Sequence, residues 1–221
     1  QILSAYRQQW QAIGVPFTSS TLFGTAKIKS SSPALSYFIG VDFNHDRSGD
    51  AKLSFLDMGI NVGANYAYEN NVFGFGLGTS IIQKSFDQSG LTFPSQYDRS
   101  IGGFNSDLAS GEGLLAENLS YFDLNLGFSW KKRFNESWEL TAGFGLLHLL
   151  QPEESFLGQN NQKAMGQSFQ VGAVHGINST LELLPYLSYY HTDAASETIL
   201  GSALKWDTPY LGPIDALAPF L

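Results

Sequence analysis

Apolar and polar residues alternate one by one along most of this chain. From Asp57 to Tyr68, the residues Met58, Ile60, Val62, Ala64, Tyr66 and Tyr68 share one face of an extended backbone. Asp57, Gly59, Asn61, Gly63 and Asn65 share the other. Beyond Glu69-Asn70-Asn71, Phe73, Phe75, Leu77, Thr79 and Ile81 alternate with Gly74, Gly76, Gly78 and Ser80. A period of two marks a strand with two unlike faces, so the stretch predicts two strands joined by a tight polar turn. The pattern recurs and predicts strands over 5–13, 17–28, 36–44, 52–68, 71–86, 121–133, 138–150, 168–177, 180–191 and 196–206. No segment carries a convincing helical period. Several of these runs exceed the roughly 5–6 residues usual in globular strands and match the roughly 9–11 that a tilted strand needs to cross a bilayer.

The kind of polar residue decides what the alternation means. In 121–133, Phe122, Leu124, Leu126, Phe128 and Trp130 oppose Asp123, Asn125, Gly127, Ser129 and Lys131. A soluble sandwich turns its apolar face inward and covers its exterior with Lys, Glu, Thr and Arg. Here the second face is mostly Gly, Asn and Ser, which suits the crowded, hydrated inside of a barrel. The reading is all-β: an antiparallel transmembrane β-barrel of outer-membrane type, a single domain over 1–221 with about ten strands visible. Ile60, Val62, Phe73, Phe75, Leu124 and Phe128 are expected to face lipid, and Asp57, Asn61, Asn65, Asp123 and Asn125 the lumen.

The connections agree. Short polar turns at 69–71, 135–136 and 178–179 contrast with long loops at 87–120 and 151–167, the asymmetry of periplasmic turns against external loops. That order places Tyr68, Trp130, Trp138 and Trp206 near one rim, as an aromatic girdle, and Tyr189 and Tyr190 at the other. The stretch 207–221 has three prolines and is expected to lie outside the strands, since proline donates nothing to a ladder.

Composition narrows the function classes. Charged residues are 14% of the 221, well under the ~25% of ordinary soluble domains. Mean hydropathy is near zero, as it is for a barrel whose two faces cancel, so it separates nothing. No apolar run reaches the ~18 residues of a membrane helix. A net charge of −8 argues against nucleic acid, which calls for a basic stripe. The absence of cysteine excludes a disulfide scaffold and a thiolate metal site. The chain opens at Gln1 just ahead of a strand, so either a signal was removed or the native start lies upstream.

Candidate chemistry is sparse. Asp42, Asn44 and Asp46 have the spacing of a calcium loop, but Arg47 and Leu53 stand where it needs glycine and an acid; an aspartate-rich hairpin turn is the better reading. His45, His148, His175 and His191 show no ligand spacing, and His148 and His175 read as structural. Asp57, Asp123, Glu139, Glu182 and Glu197 either line a channel or, as the default expectation, pair with Lys131, Lys205 and Arg7 across the lumen. No nucleophile–base grouping appears, so no enzyme, no cofactor and no metal are expected. The loop 88–119 carries Phe93, Tyr97, Phe104, Leu114 and Leu115, too apolar for a linker; it is expected to be ordered, as a plug or as a partner-binding surface.

Tyr6-Arg7-Gln8-Gln9-Trp10, followed by Gly14, Pro16 and FTSSTLFG, resembles the YRxQW opening of the PorP/SprF family. These are outer-membrane proteins of the type IX secretion system of Bacteroidota. The glycine-rich hairpin at 59–78, FPSQYD at 93–98, SYFDLNLGFSW at 120–130 and SETILGSALKW at 196–206 extend the resemblance along nearly the whole chain. Family members are longer at both ends, which implies that this is a stretch of a larger barrel. The resemblance implies a non-enzymatic barrel in the bacterial outer membrane that serves secretion. Its implied partners are the C-terminal sorting domain of a secreted adhesin or cell-surface protein, periplasmic secretion components, and a peptidoglycan-binding OmpA-like lipoprotein. Tyr6, Arg7, Gln9 and Trp10 match the motif and imply a structural role, fixing the first strand against the lumen. The alternative is a porin or small-solute transporter.

Overall fold

The computed structural model describes residues 1–10, 15–49, 51–87, 91–111, 118–156, 158 and 160–206. In chain order the strands are β1 (Ile2–Gln9), β2 (Phe17–Lys29), β3 (Leu35–Ser48), β4 (Leu53–Tyr68), β5 (Asn71–Ser85), β6 (Tyr97–Asp98), β7 (Gly103–Phe104), β8 (Asn118–Arg133), β9 (Trp138–Leu147), β10 (Gly166–Gly176), β11 (Leu181–His191) and β12 (Ser196–Trp206). Ten of them form one antiparallel sheet in the order β1-β2-β3-β4-β5-β8-β9-β10-β11-β12; β6 and β7 make a separate two-stranded hairpin. Each sheet strand pairs with its neighbour in sequence, an up-and-down meander. Local turns set the register at the short connections, and the alternation of the two faces sets it where the connection is long. Among the described residues β1 and β12 do not pair with each other.

The register stacks like on like. Gly63, Gly76, Gly127 and Gly145 stand directly opposite one another across β4, β5, β8 and β9. One step along, on the other face, Phe75, Phe128, Phe144 and Phe169 form a row across β5, β8, β9 and β10. The polar face is the shielded one: Gly59, Gly74, Gly78, Ser80, Ile82 and Asp123 are buried. The apolar face is bare, with Ile60 at 55%, Phe75 at 59% and Phe128 at 50% exposure, and no central cluster holds them. A soluble protein with this sheet would be inside out. The architecture is that of a transmembrane β-barrel of outer-membrane type, which hides its small polar face and leaves its apolar face to the bilayer. No described helix is long and apolar enough to cross a membrane.

Three local expectations change. The first strand begins at Ile2 and ends at Gln9, not 5–13; Trp10 adopts φ 62°, which an L residue takes up only where a strand stops, and 11–13 lie outside the described residues. The seventh predicted strand, 138–150, is β9 and ends at Leu147 because His148 turns at φ 58°. The aspartate-rich stretch is strand rather than turn: Asp42, Asn44 and Asp46 project from one face of β3, and the turn follows, with Gly49 at φ 69° and Lys52 at φ 47°.

Both long connections, β5 to β8 and β9 to β10, leave the same end of the sheet; Tyr68, Trp138 and Trp206 stand at the other. The stretch 207–221 lies outside the described residues.

Candidate functional site

Polar-face side chains sort into three groups along the strands. Near the end with the long connections, Thr21 Oγ1 donates to Asn44 Oδ1 at 2.7 Å and Asn61 Nδ2 donates to Asp42. Asp123, 1% exposed, pairs with His148 Nδ1 and accepts the Leu124 amide at 2.9 Å. Asn125 Oδ1 accepts the His148 amide at 3.0 Å, and Asp57 stands opposite Asn44 and Ile82. In mid-strand the glycine rows leave the wall thin; Asn65 stands there, opposite Gly74. Near the short turns, Glu139 bridges Lys131 and Arg133, the latter at 3.1 Å, and Glu182 pairs with Lys205 at 3.2 Å. These pairs join adjacent strands rather than crossing the interior, as expected of neighbours whose side chains already touch. Arg7 makes no ion pair among the described residues. It and Gln9 share the polar face with Ser19 and Phe17, while Tyr6 and Trp10 are exposed at 67% and 64%. His175 stacks on Trp138 at 4.2 Å, and no described group of His, Asp and Glu has metal-ligand form.

The described residues of the connection between β9 and β10, 148–156, 158 and 160–165, fold back over the polar face as a strap. Its Glu154 carboxylate accepts Lys84 Nζ of β5 at 2.8 Å and the Tyr121 hydroxyl of β8 at 2.6 Å, with Lys163 Nζ at 3.9 Å. Burial alone would raise the Glu154 pKa; the Lys84 and Tyr121 hydrogen bonds and the Lys163 charge outweigh it and hold the carboxyl below its ordinary value. The Glu154 amide donates to Asn161 O and the Lys163 amide to Pro152 O, both at 2.9 Å, and Phe156 meets Phe86 edge-on at 4.9 Å. Sequence reasoning missed this cluster. Its signal was Lys84 and Tyr121, long polar groups on a face made largely of glycine, serine and asparagine, which need partners from somewhere.

The described residues of the other long connection make no ladder with the ten-stranded sheet. Lys52 pairs with Asp87 at 2.9 Å and anchors its base to the β3–β4 turn. Beyond, Phe93 and Gln96 close a short 3-10 turn, the Phe93 amide donating to Gln96 Oε1 at 3.1 Å. Gln96 Nε2 donates to Leu108 O at 3.0 Å, and Ser95 donates to Ser110 O. The β6–β7 hairpin presents Tyr97 and Phe104 edge-on at 5.5 Å, exposed at 49% and 53%, with Ile101 bare at its tip. Asp98 has its pKa lowered by the hydroxyl and amide of Ser100, which bond its carboxylate. Leu114 and Leu115, expected on this surface, lie outside the described residues. The arrangement offers an ordered aromatic knob in one long connection and, in the other, a strap bonded to the polar face near that end; the described residues hold no reactive grouping.

A family model described as type IX secretion system membrane protein PorP/SprF matches residues 1–212. No curated protein matches the chain.

Proposed function

The chain belongs to the PorP/SprF family of type IX secretion system membrane proteins, and from that premise we propose that this outer-membrane component works as a docking platform rather than a pore. In this reading the sheet crosses the outer membrane repeatedly, with Ile60, Val62, Phe73, Phe75, Leu124 and Phe128 in lipid and Asp57, Asn61, Asn65, Asp123 and Asn125 in the lumen. The end with the long connections looks out from the cell and holds the C-terminal sorting domain of a secreted surface protein through Phe93, Tyr97, Phe104, Leu114 and Leu115. The short-turn end meets periplasmic secretion components, an OmpA-like lipoprotein among them.

One observation carries the proposal: an aromatic pair held outward on a hydrogen-bonded hairpin, where nothing among the described residues covers it. Ordered aromatics are the usual anchors of protein interfaces. The strap speaks against the porin reading, since it occupies the interior at the loop end with paired charges instead of lining it with opposed rows of like charge.

Purification from native membranes in mild detergent tests the proposal. The wild type brings down a secreted surface protein and a periplasmic partner. Tyr97→Ser with Phe104→Ser lowers recovery of the first about tenfold and leaves the second unchanged. A barrel that elutes alone, or one that shows steady open conductance in planar bilayers, overturns it.

A further inference from the structure

The apolar face is almost free of charge, and the exceptions are placed. Following the pairing through all ten strands, the residues on that face include two with formal charge, Arg47 on β3 and Lys132 on β8. Both are cations. Arg47 stands at the border with the long connections, Lys132 at the border with the short turns. In a chain of net charge −8, no acid faces that way.

Next to Lys132 the surface is notched. Trp130 lies opposite Phe73 on one side and Ala142 on the other. The small Ala142 makes a floor between Trp130, Phe73, Phe128, Phe144 and Phe169, which wall a groove of about 370 Å³. The lining is apolar throughout, and Phe73, Phe128, Phe144 and Phe169 are each 40–50% exposed. Trp130 is held in place by Asn71, whose Oδ1 accepts its Nε1 proton at 3.1 Å. Lys132 projects from the same face two residues closer to the border. Its ammonium lies 5.1 Å from the Phe134 ring centre and has no carboxylate partner among the described residues.

A cation at the edge, a fixed indole below it and an aromatic trough running inward have the form of a lipid: an anionic headgroup, a glycerol level and an acyl chain. We propose that this groove is a specific site for an anionic glycerophospholipid of the leaflet at the short-turn end, with its phosphate on Lys132 and one acyl chain between Trp130 and Phe169. The site rests on the reading that the apolar face meets the bilayer. Lys132 selects the headgroup, and the notch at Ala142 selects for a chain lying along the wall. The long lysine stem reaches the headgroup level while its methylenes stay on apolar surface.

Trp130 is the built-in reporter. In the full chain with Trp10, Trp138 and Trp206 changed to Phe, its fluorescence is measured in phosphatidylcholine vesicles holding a minor share of phosphatidylglycerol. The dibrominated acyl chains are placed on one lipid or the other. The expected result is quenching about fivefold stronger, per brominated molecule, from phosphatidylglycerol than from phosphatidylcholine, the factor of one lysine at an anionic headgroup. Lys132→Gln brings the ratio to one and Lys132→Arg keeps it. Ala142→Phe, which fills the floor, lowers the quenching by both lipids because a chain no longer lies against Trp130, while the ratio stays with Lys132. Equal quenching by the two lipids in the wild type overturns the site and leaves the membrane reading standing. No quenching by either overturns the membrane reading of this face, and the site with it.

Discussion

Glu154→Gln should release the strap without unfolding the sheet. The substitution keeps the shape and one acceptor for Tyr121 but removes the negative charge that Lys84 at 2.8 Å and Lys163 at 3.9 Å share. A hydrogen bond to a charged group contributes about 1.5–3 kcal/mol net. Glu154 and Lys84 are each about one-fifth exposed, so water screens part of this, and a loss of about 2 kcal/mol follows. That is roughly a thirtyfold rise in local opening. Amide exchange followed by mass spectrometry reads it directly, because the Glu154 and Lys163 amides close the strap's own bridge. Peptides over 152–163 should lose protection about thirtyfold while peptides over 120–130 keep theirs. The pH dependence fixes the cause. The Glu154 pKa lies below the ordinary 4.5 in the folded protein, so its contribution is complete above that value and fades only as pH falls through the lowered one. Protection, corrected for intrinsic rates, should stay flat from about pH 8 to 5 and drop below about pH 4; in the variant that acid step should vanish. Wild-type protection in Glu154→Gln, or loss spread evenly over the barrel, would refute the argument.

Two paired substitutions probe the wall itself. A Cβ on Gly63 would lie 2.9 Å from the Phe75 carbonyl oxygen, whereas one on Gly127, two strands along the same glycine row, meets nothing within 4 Å. Gly63→Ala should therefore cost about 1–3 kcal/mol in urea unfolding from lipid vesicles, and Gly127→Ala should be neutral or stabilising by about 0.4–1 kcal/mol; equal effects would remove backbone crowding as the reason for the row. On the apolar face of β4, Ile60→Arg at mid-strand should cost about 2–4 kcal/mol and Tyr68→Arg at the turn about 0–1 kcal/mol. The same assay reads both, and a cost independent of depth would count against a bilayer around this face.

Most of the sheet was legible because strands of 10–16 residues repeat the two-residue period often enough to fix both face and register. Legibility failed where contrast did. In β1, Ile2, Ser4, Tyr6 and Gln8 oppose Leu3, Ala5, Arg7 and Gln9, two faces of nearly equal polarity, so the strand's start could not be read. Asp42, Asn44 and Asp46 looked like a turn because Asx residues favour turns. In the fold they are the polar half of an ordinary alternation, with Asn44 held by Thr21 and Asp42 by Asn61 from the strands on either side. The strap was illegible for a different reason. Glu154 meets Tyr121 and Lys84 across 33 and 70 residues, and no local pattern encodes a contact that depends on the pairing of β5 with β8.

The two long connections leave the same end, and the one after β9 bonds to the polar face; unequal strand lengths explain why. β8 has 16 residues and β9 only 10; their pairing stops at Leu126 and Leu146. Beyond that point β8 keeps β5 on one edge and loses its partner on the other, leaving ladder groups that must be satisfied. The strap takes up that edge at once. His148 turns inward at φ 58°, its amide goes to the Asn125 side chain, and the Leu149 amide donates to Leu124 O at 3.0 Å. Having entered along β8, the chain meets Asp123 and then Tyr121 and Lys84, so its one histidine and one of its acids find partners on the polar face. Between β5 and β8 no such gap exists, since the two pair along their whole length from Ser85 and Asn118 to Asn71 and Lys132. The connection there has no open edge to follow. It is drawn instead toward the β3–β4 turn by Ala51 O and Lys52, and it folds on itself with its aromatics outward. A ninth strand lengthened to match β8 would take the edge away from the strap, and the interior at that end would lose its cover.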